Sequence, residues 1–213
     1  MTLLNIKLSN GTKRLVKYTP PNKGTVVIGG RTYRTVKIGN QWWLAENLDY
    51  KFNISDGTGS YAYYDNDEAT YGIDGTYKCG LLYDGYAASY LESNKDVLLP
   101  TGWHVPTVDE WNTLFASVGG SSTAGTKLKA LNNSVTSNWP SGWNGTDDYG
   151  ISILPSGFYY SYFQQFGSRA TLCTSSESNP RYGIYIGINT GAPVSTESSN
   201  KDVKGAIRLV KDA

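Results

Sequence analysis

Leu99-Pro-Thr-Gly-Trp-His-Val-Pro-Thr-Val-Asp-Glu-Trp-Asn-Thr-Leu-Phe115 carries the clearest local instruction in the 213-residue chain. Thr107 followed three residues later by Glu110 is a capping-box pair: the Thr hydroxyl can accept the Glu110 amide proton, and the Glu carboxylate can accept the Thr107 amide proton. A helix therefore starts at Val108. Val108, Trp111, Leu114, Phe115 and Val118 recur at steps of three and four, which makes one apolar stripe, and Gly119-Gly120 ends it. Such a density of large apolar side chains marks the stretch as the centre of a core.

Upstream, Leu4, Ile6 and Leu8 alternate with polar residues, Asn10-Gly11 follows, and Leu15-Val16-Lys17-Tyr18 resumes, the pattern of a hairpin. Pro20-Pro21-Asn22-Lys23-Gly24 breaks it. Residues 1–24 thus read as a hairpin appendage with a linker, and 25–213 as the main domain. From Thr25 a strand, the Gly29-Gly30 turn, a strand Thr32–Ile38, the Gly39-Asn40 turn and a strand Gln41–Leu44 spell a three-stranded meander. Trp42 and Trp43 face opposite sides of it, so at least one enters the core. Residues 50–80 lack a sustained period and read as long irregular loops.

Gly80–Leu91 reads as a short strand running into a short helix. Downstream of the capped helix, Gly125–Leu131 suggests a third helix with Leu128 and Leu131 inward. Tyr149–Leu154 reads as a strand, Gly157–Lys204 as short strands alternating with polar loops, and Gly205–Val210 as a closing strand. A chain of this length can bury roughly 70% of its unfolded surface in one domain. The 17 Tyr and 24 Gly against 17% charged residues favour strands and turns. Net charge is +1 with Lys and Arg scattered, which argues against nucleic acid and anionic membranes. The N-terminus lacks the pattern of a secretory signal, and no run reaches the roughly 20 apolar residues of a spanning helix, so no membrane insertion is expected. Cys79 and Cys173 lack metal or CxxC spacing; they form either a disulfide or two buried thiols, the second being preferred.

Six segments in order carry a resemblance: Trp42-Trp-Leu-Ala-Glu-Asn-Leu48, Gly80-Leu-Leu-Tyr83, Pro100-Thr-Gly-Trp-His-Val-Pro-Thr-Val-Asp-Glu-Trp111, Gly125-Thr-Lys-Leu-Lys129, Gly150-Ile-Ser-Ile-Leu-Pro-Ser-Gly157 and Ile207-Arg-Leu-Val-Lys-Asp212. Together they resemble the Fibrobacter succinogenes major paralogous domain family over about residues 27–213. The resemblance implies an α+β, C-type-lectin-like fold of the formylglycine-generating-enzyme type, with two or three short helices, small twisted antiparallel sheets and long ordered loops. Gly157-Phe, Phe166-Gly-Ser-Arg-Ala, Thr174-Ser-Ser-Glu177, Lys201 and Gly205 are also similar to the framework of variable regions in retroelement-diversified receptor-binding proteins. That implies a virion-surface or bacterial cell-surface protein. The family's usual Cys pair is replaced here by Leu99 and Leu209, which suggests a dry contact in place of a disulfide, and its usual Trp before the Ser-Ser-Glu run is Cys173.

His104, the single histidine, is read as structural, bonded to a backbone carbonyl. The oxidase chemistry that the fold type implies needs two reactive cysteines late in the chain, and Cys173 stands alone there. No enzyme activity and no cofactor are therefore expected. Asp65-Asn66-Asp67-Glu68 and Asp147-Asp148 could offer oxygens to a structural Ca²⁺, but solvated turns are the preferred reading.

The strongest chemistry is interfacial. Between Gly157 and Lys204 lie five Tyr and eight Ser among Gly, Asn and Thr, a paratope-like composition. Tyr159, Tyr160 and Tyr162, with Arg181, Tyr182 and Tyr185, are the expected anchors, and Ser178, Asn179, Asn189 and Thr190 the adaptable rim. The expected function is non-catalytic binding of a cell-surface protein or glycan. The rival is a structural module of a surface or phage-tail assembly, docked through residues 1–20.

Overall fold

The capping box forms as the spacing demands: Thr107 Oγ1 accepts the Glu110 amide proton at 3.2 Å, and Glu110 Oε2 accepts the Thr107 amide proton at 2.8 Å. The computed structural model describes residues 2–7, 13–18, 22–131, 143, 145–190 and 193–213. Its elements are strands and helices intermixed, an α+β arrangement.

Strands β1 (Thr2–Lys7) and β2 (Lys13–Tyr18) pair antiparallel, as the alternation predicts; Leu8, Asn10-Gly11 and Pro20-Pro21 lie outside the described residues. The meander follows as β3 (Lys23–Ile28), β4 (Arg31–Ile38) and β5 (Gln41–Leu44). β3 thus begins two residues before the expected start. Gly29 and Gly30, at φ 56° and 82°, supply the left-handed pair that a two-residue hairpin turn requires. Next come β6 (Tyr61–Ala62), a 3₁₀ turn at Tyr64–Asn66, α1 (Glu68–Tyr71), β7 (Leu82–Asp84), α2 (Gly85–Ser93) and α3 (Lys95–Leu98). The capped helix is α4 (Val108–Ser117), followed by α5 (Ser121–Leu128). The C-terminal part holds β8 (Phe158–Tyr160), β9 (Tyr162–Gln164), β10 (Arg169–Asn179), β11 (Tyr182–Asn189), β12 (Ser195–Asn200), β13 (Lys204–Gly205) and β14 (Val210–Asp212).

Several expectations need correction. Five α-helices occur among the described residues instead of two or three; the extra ones, α1 and α3, are single turns. Asp67 caps α1 by accepting the Thr70 amide proton, so part of the 50–80 stretch is ordered by side-chain bonds. The third helix starts at Ser121 and stops at Leu128, which leaves Leu131 exposed while Leu128 is buried. Tyr149–Leu154 is not a laddered strand, for its one bridge is Ile153 with Lys129. Gly205–Val210 is broken into β13 and β14, because the segment between them crosses from one sheet to another.

The sheets are ordered β14-β5-β4-β3, β6-β7-β13-β8-β9 and β10-β11-β12. Two apolar clusters lie against them. One gathers Trp43, Trp111, Leu114, Phe115, Leu128, Trp143, Leu172 and Ile186, with Trp43 and Trp111 rings 4.5 Å apart. The other gathers Tyr33, Leu44, Phe52, Tyr83, Leu91, Trp103, Ile207, and both Leu99 and Leu209. Trp42 stays half-buried while Trp43 is fully enclosed. Both cysteines are buried thiols with no disulfide between them.

Arg208 lies wholly inside this packing. Its Nε donates to Asn47 Oδ1 at 2.6 Å, Nη1 to the carbonyls of Leu44 (3.1 Å) and Ile151, and Nη2 to the carbonyl of Ser152 at 2.8 Å. Asn47 Nδ2 in turn donates to the Cys79 carbonyl at 2.8 Å. Burial pushes the guanidinium down to about 9, which leaves it charged at neutral pH. Within Tyr149–Leu154 the Ile151 and Ser152 carbonyls go to Arg208, while Ile153 bonds the backbone of Leu128 and Ala130.

His104 joins the capping box. Its Nδ1–H donates to the Gly102 carbonyl at 3.1 Å, and Nε2 meets Glu110 Oε1 at 2.6 Å. Two acceptors on one ring require two N–H donors, so the imidazole is charged. The Glu110 hydrogen bond, against the cost of burial, raises the His104 pKa. Burial alone would raise Glu110; the bonds from His104 and Thr107 outweigh it and hold the carboxyl low. A raised His pKa contributes stability fully below the unfolded value of 6.5, lost as pH rises through the folded value. A lowered Glu pKa contributes above the unfolded value of 4.5, lost as pH falls. Thermal stability should therefore draw fully on this pair between pH 4.5 and 6.5, and His104→Gln should flatten the fall above that window. Scanning calorimetry across pH checks it; an unchanged profile in His104→Gln refutes the pair's role.

Candidate ligand-binding site

Antiparallel pairing of β10, β11 and β12 puts β11 in the middle of a three-stranded sheet. Ala170, Leu172, Ile186 and Ile188 fall on one face and are buried in the first cluster. By the two-residue period, the other face carries Arg169, Thr171, Tyr185, Ser195, Glu197 and Ser199. With Phe158 and Tyr160 of β8, and with Gln165 and Val203, all of these except Ser195 enclose an open pocket of about 170 Å³.

Arg169 organises its wall. Nη2 donates to Glu197 Oε2 at 2.6 Å, Nε to Thr171 Oγ1 at 2.9 Å and Nη1 to Asn189 Oδ1 at 3.3 Å. The guanidinium carbon lies 5.7 Å from the Phe158 ring centre. Ser195 Oγ donates to Glu197 Oε1 at 2.7 Å. Burial would raise Glu197, but the hydrogen bonds from Arg169 and Ser195 hold it below the ordinary carboxylate value. Arg169 and Glu197 sit on strands two apart, about 10 Å in the ladder direction, and meet only across Gly187. A Cβ there would fall 2.5 Å from Ser195 Oγ and 2.7 Å from both Arg169 Nη2 and Glu197 Oε1, so any side chain at this position would displace the pair.

The expected anchors and rim residues divide into three places. Tyr160 and Tyr162 stand out at the β8–β9 hairpin, 48% and 65% exposed; Tyr159 is half-buried against Phe163 and under Lys204. Ser178, Asn179, Arg181 and Tyr182 are exposed at the β10–β11 turn, where Asn179 Oδ1 accepts the Arg181 amide proton and Ser178 Oγ meets Ser198 Oγ at 2.9 Å. Asn189, half-buried, and Thr190 lie at the opposite end of β11, roughly 23 Å of extended chain from Tyr182.

Tyr185 is the exception. It is 2% exposed, belongs to the second core cluster, and its hydroxyl donates to the carbonyls of Asn200 and Val203. It is therefore a core residue at the pocket floor, not a surface anchor. Tyr182 and Tyr185 are three residues apart, an odd step, so they cannot share a face of one strand.

Arg169, Thr171, Glu197 and Ser199 were not among the expected residues. Their signal is modest: Arg169 and Thr171 alternate with apolar Ala170 and Leu172, while Ser195–Ser199 is polar throughout and shows no period. The two acidic stretches serve as structural partners. Asp147 accepts from the Ser152 amide and hydroxyl, and Glu68 bonds Lys51 and Tyr63. Among the described residues no group of three or more His, Cys, Asp or Glu side chains could hold a metal ion, and no helix is long and apolar enough to cross a membrane.

The intermixed helices and small sheets and the six ordered segments define the class: an α+β domain built around a buried arginine. The chain belongs to the Fibrobacter succinogenes major domain family, whose model matches residues 36–211. No curated protein and no solved structure matches the chain.

Truncation separates the two tyrosines. Tyr185→Ala should cost about 3–5 kcal/mol of unfolding free energy, as large aromatic deletions in cores do. Tyr182→Ala should stay within about 0.5 kcal/mol of the parent. Urea titration followed by Trp fluorescence measures both, and equal effects would contradict their placement.

Proposed function

We propose that this chain is a non-catalytic ligand-binding domain with a C-type-lectin-like fold, which presents the outer face of residues 157–204 to a cell-surface protein or glycan. The observation that carries the reading is the position of the exposed aromatics: among the described residues these are Tyr160, Tyr162 and Tyr182, and all three belong to this segment. Exposed Tyr offers a large rigid face with a polar tip, and Ser178 and Asn179 beside Tyr182 adapt by hydrogen bonding.

The chemistry of the remaining reactive groups supports a binding role. His104 is spent in the capping box, and burial raises the Cys79 thiol and brings Cys173 up to about 12, far from a thiolate at neutral pH. Glu177 and Lys201, two positions of the variable-region resemblance, pair with each other and with Ser89 of α2, which ties the sheet to that helix. A framework fixed in this way is what diversification by a retroelement on a virion or bacterial surface would require.

Binding of fluorescently labelled protein to intact cells of the source community, read by flow cytometry, tests the face. Tyr160→Ala and Tyr182→Ala should each weaken binding by more than about 1 kcal/mol, roughly fivefold, with unchanged melting temperature. Removal of residues 1–20 should leave it intact. Binding that depends on residues 1–20 and ignores both tyrosines would favour a structural module docked through its hairpin.

A further inference from the structure

We propose that the pocket between β8 and the outer face of the β10-β11-β12 sheet is a subsite for one neutral hexopyranose ring. The inference rests on the ligand-binding reading of this face and names the chemistry of what it holds.

The first argument is charge. Arg169 and Glu197 neutralise each other at 2.6 Å, so neither an anion nor a cation finds an uncompensated partner among the lining side chains. The second is the character of the remaining hydrogen-bond capacity. Arg169 uses three of its five N–H groups on Thr171, Asn189 and Glu197, leaving two donors. Glu197, 42% exposed at its side chain, accepts one bond on each oxygen and keeps lone pairs on both. Ser199 and Gln165 add groups that donate and accept. Donors and acceptors side by side without net charge match vicinal hydroxyls, each of which must do both.

The third argument is shape. Tyr160 and Phe158 line the same pocket and supply π faces for the apolar C–H side of a ring. The pocket is small, about 170 Å³, which favours a single ring over an extended chain. Gly187 keeps the floor open, because a side chain there would occupy the space of the Arg169–Glu197 pair. A peptide would instead add its backbone along β12, the last strand of this sheet among the described residues, without filling the pocket.

The test is an amide NMR titration of the full ¹⁵N-labelled chain with methyl glucopyranoside, methyl galactopyranoside and methyl mannopyranoside. At least one should give saturable shifts at Arg169, Gly187 and Ser199, with an affinity on the order of 1 mM or tighter. Tyr160→Ala, Glu197→Gln and Ser199→Ala should each weaken it tenfold or more, and Thr196→Ala, on the opposite face, should not. Ser199→Ala leaves the ion pair in place and carries the test if Glu197→Gln fails to fold. No saturable shift with any of the three, or saturation indifferent to Tyr160→Ala and Ser199→Ala, would overturn the proposal. Shifts confined to β12 with an unstructured strand-forming peptide, and none with the glycosides, would overturn it in favour of edge pairing. If cell binding depends on Tyr160 and Tyr182 while the glycosides neither shift nor compete, the sugar subsite fails and the binding face stands; loss of that dependence removes both.

Discussion

A guanidinium enclosed by protein with no carboxylate against it must find enough neutral acceptors, and Arg208 finds four: Asn47 Oδ1 and the carbonyls of Leu44, Ile151 and Ser152. Those acceptors come from two segments more than a hundred residues apart, and Asn47 ties in a third through the Cys79 carbonyl. Three of the six segments that mark the family therefore meet in one hydrogen-bond network. The other three join it through the backbone, Leu81 by donating its amide proton to the Leu48 carbonyl. His104 exchanges both amide–carbonyl bonds with Val210, and Ile153 is bonded on either side by Leu128 and Ala130. The shared residues thus describe how the scaffold closes on itself.

This division explains how the same domain can carry an open pocket and exposed turns beside its sheet. β10 is tied inward by parallel bridges to Gly157 and Ala206, and Gly205 permits that approach, since a Cβ there would sit 2.6 Å from the Thr171 carbonyl. Leu172, Ile186 and Ile188 complete the inner side. What remains outward at Tyr160, Tyr162, Ser178, Arg181 and Tyr182 makes few demands on the fold, while Arg169, Glu197 and Gly187 hold the pocket between them.

Local physics was legible in the sequence, and long-range capture was not. The Thr107–Glu110 capping box, the Gly29-Gly30 turn and the alternation of β4 depend on neighbours within a few residues, and each forms where the pattern places it. Tyr149–Leu154 has the composition of a strand, yet two of its carbonyls, those of Ile151 and Ser152, go to a side chain some 55 positions later, which no local period reports. Leu131 lost its inward place because α5 ends at Leu128, where the chain turns to pair with Ile153. At the site, aromatic composition picked out Tyr160, Tyr162 and Tyr182, but also Tyr185, whose odd spacing from Tyr182 already argued against a shared face. The Arg169–Glu197 pair stayed hidden, because it forms across an intervening strand and depends on the absence of a side chain at Gly187.

The central claim is that Arg208 is the closure on which the scaffold depends, and its removal tests that most directly. Arg208→Met conserves much of the side-chain length and apolar packing but leaves the carbonyls of Leu44, Ile151 and Ser152 and the Asn47 amide oxygen without their donor. Each buried group so orphaned costs about 1–3 kcal/mol, so equilibrium urea unfolding should show a loss of more than about 3 kcal/mol, or no cooperative transition at all. A loss within about 0.5 kcal/mol, the range of a surface substitution, would contradict the account.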